Sequence, residues 1–203
     1  RKLEDKMMQL QRSNRRLASL YKVSCELHTT KSPAELLDIA LQAIIETAGL
    51  PYANYFTYDP HSKTLSLSAT IGFSDETLTT YIRGIDFKLG DRRGLVGFVA
   101  QTGQPLNISD TSQDPDWIVL DSEIRSVLFA PVHFENRLQG VIGLYSKEKQ
   151  AFTEEDIHDI TALANNLAVV FENRNNQEQV KKQLTRISAL HNIDLAINSS
   201  MDL

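Results

Sequence analysis

Leu3, Met7, Leu10, Leu17, Leu20 and Leu27 recur at intervals of three, four and seven through a charged background. That period predicts an amphipathic helix or coiled-coil seam over residues 1–31. Thr29, Thr30 and Lys31 interrupt it. Ser32-Pro33-Ala34-Glu35 then opens a second helix, with Ser32 as cap, Pro33 at the first helical position and Glu35 closing a capping box. Leu36, Leu37, Ala40, Leu41, Ile44 and Ile45 make one apolar stripe on it, and Gly49 and Pro51 stop it.

From Tyr52 the period drops to two. Tyr52–Tyr58 reads as an aromatic strand, and Leu65, Leu67, Ala69 and Ile71 as a second strand after the turn Asp59-Pro60-His61-Ser62. A short helix is expected from Ser74 to Arg83. The glycine-punctuated stretch from Gly90 to Ala100 reads as a loop entering another short helix, and a brief strand follows from Leu106 to Ser109. Asp110–Asp121 is a polar loop. Strands are expected over Ser126–Phe134 and Leu138–Ser146, joined by a turn at Glu135-Asn136-Arg137. Gly140–Tyr145 is apolar without alternation, as a strand covered on both faces must be.

Phe152-Thr153-Glu154-Glu155-Asp156-Ile157 opens the last helix, with a Thr153 cap, Asp156 at its third position and a Phe152/Ile157 staple. Ile157, Ile160, Leu163, Leu167, Val170 and Phe171 form its buried stripe. Val180, Leu184, Ile187, Leu190, Ile193 and Ile197 carry the stripe towards the end without a breaker. A helix that long stays in water by pairing. Arg16–Val23 and Arg186–Ile193 also match in register, so the last helix reads as the possible first helix of a following repeat.

The ordered set of elements resembles the GAF domain family over roughly residues 32–172. The residues carrying the likeness are Gly90…Gly94-Leu-Val-Gly97-Phe-Val-Ala…Gly103-Gln-Pro105-Leu-Asn-Ile-Ser-Asp110, the Arg125–Val132 strand, Leu138-Gln-Gly140-Val-Ile-Gly143 and Phe152…Asp156. The resemblance implies an α+β fold: a central antiparallel sheet, terminal helices on one face, and loops or short helices over a small-molecule pocket on the other. Long coiled-coil helices flank it. It also implies a non-catalytic sensor that binds a small ligand and signals through dimeric helices to an output domain of the same polypeptide. The expected organisation is a linker helix over 1–31, the GAF-like domain over 32–172 and a C-terminal linker helix over 173–203. Expected pocket residues are Arg93, Phe98, Ile108, Trp117, Arg125, Phe129 and Tyr145. The ligand or cofactor is left unknown, and a ligand-free dimerisation spacer remains the alternative.

Composition narrows the chemistry. A net charge of −5 argues against nucleic acid, which needs a basic surface. The basic residues Arg1, Lys2, Lys6, Arg12, Arg15 and Arg16 fit a solvated coiled-coil face. No apolar run approaches the ~20 residues that cross a bilayer, so no membrane insertion is expected. One cysteine, Cys25, offers no disulfide or thiolate cluster; an intracellular, cytoplasmic setting is expected, and the start at Arg1 suggests a piece of a longer chain.

The same scarcity bears on the family's known chemistries. A single cysteine cannot perform the dithiol chemistry of GAF-type methionine sulfoxide reductases, and Cys25 at a stripe position reads as buried rather than bilin-bearing. Cyclic-nucleotide-binding members carry an Asn-Lys…Phe…Asp-Glu set. Lys147, Phe152 and Asp156 match it, whereas Ser146 and Ile157 depart, so cyclic nucleotide is a second alternative. Of the five histidines only His133 sits on a core strand, where a haem ligand would be needed. Asp110, Asp114, Asp116 and Asp121 lack the EF-hand spacing and read as turn formers. Gly90, Gly94 and Gly97 are neither a Walker A nor a dinucleotide fingerprint. They leave open tight turns, or backbone N–H groups aimed with Arg92 or Arg93 at an anion.

Overall fold

A computed structural model describes residues 33–74, 85–119 and 121–201. The helices expected over 1–31 and 74–83 therefore lie outside the described residues, apart from Ser74. Chain order is α1 (Pro33–Ala48), β1 (Tyr52–Asp59), β2 (Thr64–Ile71), β3 (Phe87–Lys88), α2 (Val96–Thr102), β4 (Leu106–Ile108), a 3-10 turn (Thr111–Gln113), β5 (Ser126–Phe134), β6 (Arg137–Ser146) and α3 (Glu154–Met201). Six strands form one antiparallel sheet in the order β3-β2-β1-β6-β5-β4. This is the expected α+β architecture, with the two-residue β3 as an addition the sequence pattern did not signal.

Local chemistry sets the ends of each element. α1 stops where Gly49 adopts φ 66°, and Leu50 N–H reaches back to the Ile45 carbonyl at 3.0 Å, which satisfies a carbonyl the helix end would orphan. Asp59 holds the β1–β2 turn, accepting from His61 N–H at 2.9 Å and from the Ser62 hydroxyl at 2.7 Å. The start of α3 is the reciprocal cap anticipated: Thr153 N–H donates to Asp156 Oδ2 at 2.8 Å, and Asp156 N–H donates to Thr153 Oγ1 at 3.2 Å.

Alternation along the central strands sorts their side chains between two cores. Leu128, Ala130 and Val132 of β5, with Ile142 and Leu144 of β6, face the helices. There they meet Leu37, Ala40, Leu41 and Ile44 of α1 and Ile160, Ala164, Leu167 and Ala168 of α3. Val127, Phe129, Val141 and Tyr145 face the other way, beneath α2 and the loops. β6 is thus buried on both faces, as its unbroken apolar run requires. The sheet is a wall with helices behind and an aromatic layer in front.

Candidate functional site

The front layer centres on Tyr145, which is 1 % exposed. Its ring meets Phe129 edge-on at 6.0 Å, Phe73 edge-on at 5.2 Å and Trp117 at 6.1 Å between centroids. Tyr52 stacks on Phe73 at 4.8 Å. Such pairs each contribute about 0.5–1.5 kcal/mol beyond the burial of their surfaces.

One polar group sits inside this layer. Asn54 of β1 is fully buried, and its amide nitrogen donates to the Tyr145 hydroxyl at 2.5 Å. Its carbonyl oxygen has no donor among the described residues. Gly143 lies opposite Asn54 on β6. A Cβ there would stand 2.4 Å from that oxygen, 2.6 Å from the Tyr145 hydroxyl and 2.9 Å from Phe129 Cε1. Gly143 therefore makes the room that the amide occupies. Burial raises the Tyr145 phenol far above its ordinary pKa, an effect partly offset by the Asn54 bond, so the hydroxyl is neutral across the physiological range.

The rim is polar. Tyr52 donates to Asp121 Oδ2 at 3.2 Å. Lys147 pairs with Glu123 and stands 5.7 Å above the Tyr52 ring; the Glu123 bond is the main reason its pKa is raised. Lys147 and Asp156, the two charged residues that match the cyclic-nucleotide set, do not meet: Glu123 takes the lysine and the Thr153 cap takes Asp156.

Of the seven expected pocket residues, Ile108, Phe129 and Tyr145 are buried in the front layer and half-buried Trp117 packs against it. The other three stand apart. Arg93 is exposed, and its backbone N–H donates to Asp91 at 3.0 Å. Phe98 lies under the Arg92 guanidinium at 4.8 Å. The Arg125 side chain points to solvent while its backbone bonds to Ser146 and Thr111. Tyr52, Asn54, Phe73 and Gly143 were not anticipated. A lone asparagine in step with Tyr52 and Phe56 on an aromatic strand was the available signal.

The glycine-rich loop resolves in favour of tight turns. Gly90 N–H donates to the Gly97 carbonyl at 2.8 Å, Gly94 N–H to Asp116 at 2.8 Å and Leu95 N–H to Arg92 at 2.9 Å. Arg92 itself is paired with Asp116. These donors are consumed within the chain and do not point at an anion. His133 lies beside Gly103, at the end of α2, and burial lowers its pKa.

The aspartates likewise serve separate ends, and no group of three metal-ligating side chains occurs among the described residues. Asp110 caps the 3-10 turn through Ser112 N–H at 3.1 Å and holds Lys149 at 2.7 Å. Lys149 and the Ser112 hydroxyl bring its pKa down from 3.8 to about 2. A lowered folded-state pKa stabilises above the unfolded value, and the gain is lost as pH falls from about 4 towards 2. Asp110→Asn is expected to flatten that acid limb in denaturation curves taken across this window.

Where α3 leaves the sheet, Glu172 pairs with Arg137 and accepts from Gln139 Nε2 at 3.2 Å. The β5–β6 hairpin is thus tied to the helix at the last turn that packs on the sheet. α3 continues through residue 172 with no break.

A sheet with paired helices behind, a short glycine-bounded helix in front and an aromatic layer between strands and loops coincides with a matching sequence model described as the GAF domain, over residues 30–172. The chain belongs to the GAF domain family. GAF domains are regulatory and sensor modules, often found in multidomain proteins. The GAF domain of the Acinetobacter phosphoenolpyruvate-protein phosphotransferase superposes with TM-score 0.66 at 21% identity, covering 81% of this chain and 97% of that one. The corresponding domain from Coxiella burnetii gives 0.67 at 20%, covering 81% and 96%. A free methionine-R-sulfoxide reductase from Neisseria meningitidis, solved with its substrate, gives 0.64 at 22%, covering 75% and 86%. The fold therefore hosts enzymes as well as sensors. No curated protein sequence matches this GAF chain. No helix among its described residues is long and apolar enough to cross a membrane.

Proposed function

We propose that this GAF domain is a non-catalytic sensor that takes a small ligand at the front aromatic layer and passes its state to a second copy and an output domain through α3. The observation that carries the reading is the buried carbonyl oxygen of Asn54, which has no donor among the described residues, set amid Tyr52, Phe73, Trp117, Phe129 and Tyr145. An unpaired buried acceptor costs about 1–3 kcal/mol. A ligand with a flat apolar body and one N–H or O–H donor would supply the missing bond and stack on the rings. Ile108, Trp117, Phe129 and Tyr145 are the proposed contacts, with Arg93, Phe98 and Arg125 as outlying candidates on the same side. Residues 1–31 and 173–203 act as linkers in this reading, and the setting is cytoplasmic. Catalysis is not proposed, since the chain's single cysteine cannot support a dithiol cycle.

A ligand shifts a two-state module only by its differential affinity, and about 1.4 kcal/mol gives a tenfold shift. Melting scans with cyclic nucleotides, haem, bilins, nitrate and small oxo-acids test the claim, read together with Trp117 fluorescence. At least one class should raise the melting temperature and perturb Trp117, and Asn54→Leu should abolish the response. No shift with any class at millimolar ligand contradicts ligand sensing.

A second reading is a ligand-free spacer whose front face is closed by its own side chains. It is favoured by Phe129 and Tyr145, each 1 % exposed. It predicts no ligand response with dimerisation intact.

A further inference from the structure

The chain from Thr111 to Ile124 leaves the front of the sheet and rejoins it at one point. Thr111 N–H donates to the Arg125 carbonyl at 2.9 Å, and the Thr111 hydroxyl donates to the Ile124 carbonyl at 2.9 Å. Arg125 N–H in turn donates to the Ser146 carbonyl of β6 at 2.8 Å. Thr111 and Ile124 are 4 % and 2 % exposed. The two ends thus close a buried neck on the sheet, the form of an Ω-loop.

Between the ends the grip changes character. Trp117 and Ile118 pack on the front core, and both are only half-buried. A backbone bond joins the loop to the glycine-rich segment, from Gly94 N–H to the Asp116 carbonyl at 2.8 Å. Acidic side chains supply further ties. Asp116 accepts from Arg92 Nε at 2.7 Å, Asp121 accepts from the Tyr52 hydroxyl at 3.2 Å, and Glu123 pairs with Lys147. The two ion pairs are solvated, with Arg92 and Glu123 59 % and 61 % exposed. Pairs of that kind are weak and screened by salt. Each cation also lies over a ring outside the loop, Arg92 over Phe98 and Lys147 over Tyr52. An aromatic platform keeps the cation in place when the acid leaves it.

We propose that residues 112–123 are a strap that lifts from the front layer as a unit about the Thr111–Ile124 neck, latched shut by Arg92–Asp116 and Lys147–Glu123. The inference rests on the front aromatic layer as the ligand face and adds its gate. A segment opens locally where it buries few apolar contacts and its bonds face solvent, and strap and neck differ in those respects. The strap also keeps its own shape when released. Asp116 N–H donates to Asp114 Oδ1 at 2.9 Å, and Glu123 N–H to Asp121 Oδ1 at 2.8 Å. Lifting carries Trp117 off Tyr145. It also withdraws Ile118 from above Gly94, where its Cδ1 lies 2.9 Å from the place a Cβ would take.

Amide hydrogen exchange on the full chain, followed by NMR without any ligand, tests the strap. Its failure leaves ligand sensing standing, and a failed ligand screen leaves the strap standing. Gly90 and Gly94 are matched reporters, glycines of one loop with bonds of 2.8 Å. Gly90 N–H is held by Gly97 of α2, whereas Gly94 N–H is held by Asp116 of the strap. The double variant Asp116→Asn, Glu123→Gln should speed Gly94 exchange roughly 3–10-fold relative to Gly90, and leave the Thr111 and Arg125 amides of the neck unchanged. Salt at about 1 M should speed Gly94 in the parent similarly and add little in the double variant. Nile red, an uncharged apolar dye, should bind the double variant roughly threefold more than the parent.

An unchanged Gly94 rate in the double variant overturns the latch. Gly90 quickening in step with Gly94 shows the whole glycine loop loosening, and overturns the strap as the moving part. Neck amides that quicken as much as Gly94 overturn the hinge. Faster Gly94 exchange with no gain in dye binding overturns the strap as the gate of the front layer.

Discussion

Tyr145→Ala is expected to cost about 4–6 kcal/mol in urea denaturation, the largest loss of any front-layer substitution. Deleting a buried aromatic ring costs about 3–5 kcal/mol in transfer and cavity terms, and this ring touches Phe73, Trp117 and Phe129 at once. The hydroxyl adds a second loss, since Asn54 is fully buried and donates to it. Tyr145→Phe isolates that part. It keeps the ring and leaves the amide donor unmet, at a cost of about 1–3 kcal/mol. Asn54→Leu removes the amide but leaves the buried Tyr145 hydroxyl without the donor it accepts from, so it too should cost about 1–3 kcal/mol. A Tyr145→Phe variant as stable as the parent would show that the amide gains nothing from the phenol.

Gly97→Ala is the second large effect, at about 3 kcal/mol or a fall of roughly 6–12 °C in Tm. The reason is distance. A Cβ on Gly97 would stand 2.0 Å from the Lys88 carbonyl oxygen and 3.0 Å from that of Asp91. Both obstacles are backbone, so no rotamer change relieves the clash, and α2 must lift off β3. The Gly90 N–H to Gly97 carbonyl bond would be strained with it. Gly49→Ala is the informative control. Gly49 has open space around its Cα but φ 66°, so a side chain there costs only about 1 kcal/mol of left-handed strain. Equal losses at the two glycines would refute the close-approach argument.

The elements easiest to read in the sequence were those whose burial is one-sided or complete. The stripe Leu37, Ala40, Leu41, Ile44 marks α1 because a helix on a sheet must bury one face and no other. Gly140–Tyr145 marks β6 because only a strand covered twice tolerates unbroken apolar residues. β3 escaped notice because Phe87 and Lys88 pair with only Leu65 and Thr64, too short a run to show a period. The site was half legible. Phe129 and Tyr145, aromatic residues on core strands, lie in the front layer, whereas Arg93, Phe98 and Arg125, which come from the motif segments, lie outside it. Asn54 was missed because a single polar residue carries no period of its own. Its meaning lies in the cross-strand glycine that makes room for it, a relation the chain order hides by eighty-nine residues.

The central claim is that the front aromatic layer and α3 feel one another through the sheet between them. A double-mutant cycle between Tyr145→Phe in front and Leu167→Ala behind measures this directly, because the two side chains belong to different cores on opposite faces. Independent sites add within about 0.3–0.5 kcal/mol. Coupling predicts an interaction free energy above about 0.5 kcal/mol. Strict additivity of the two losses would contradict it.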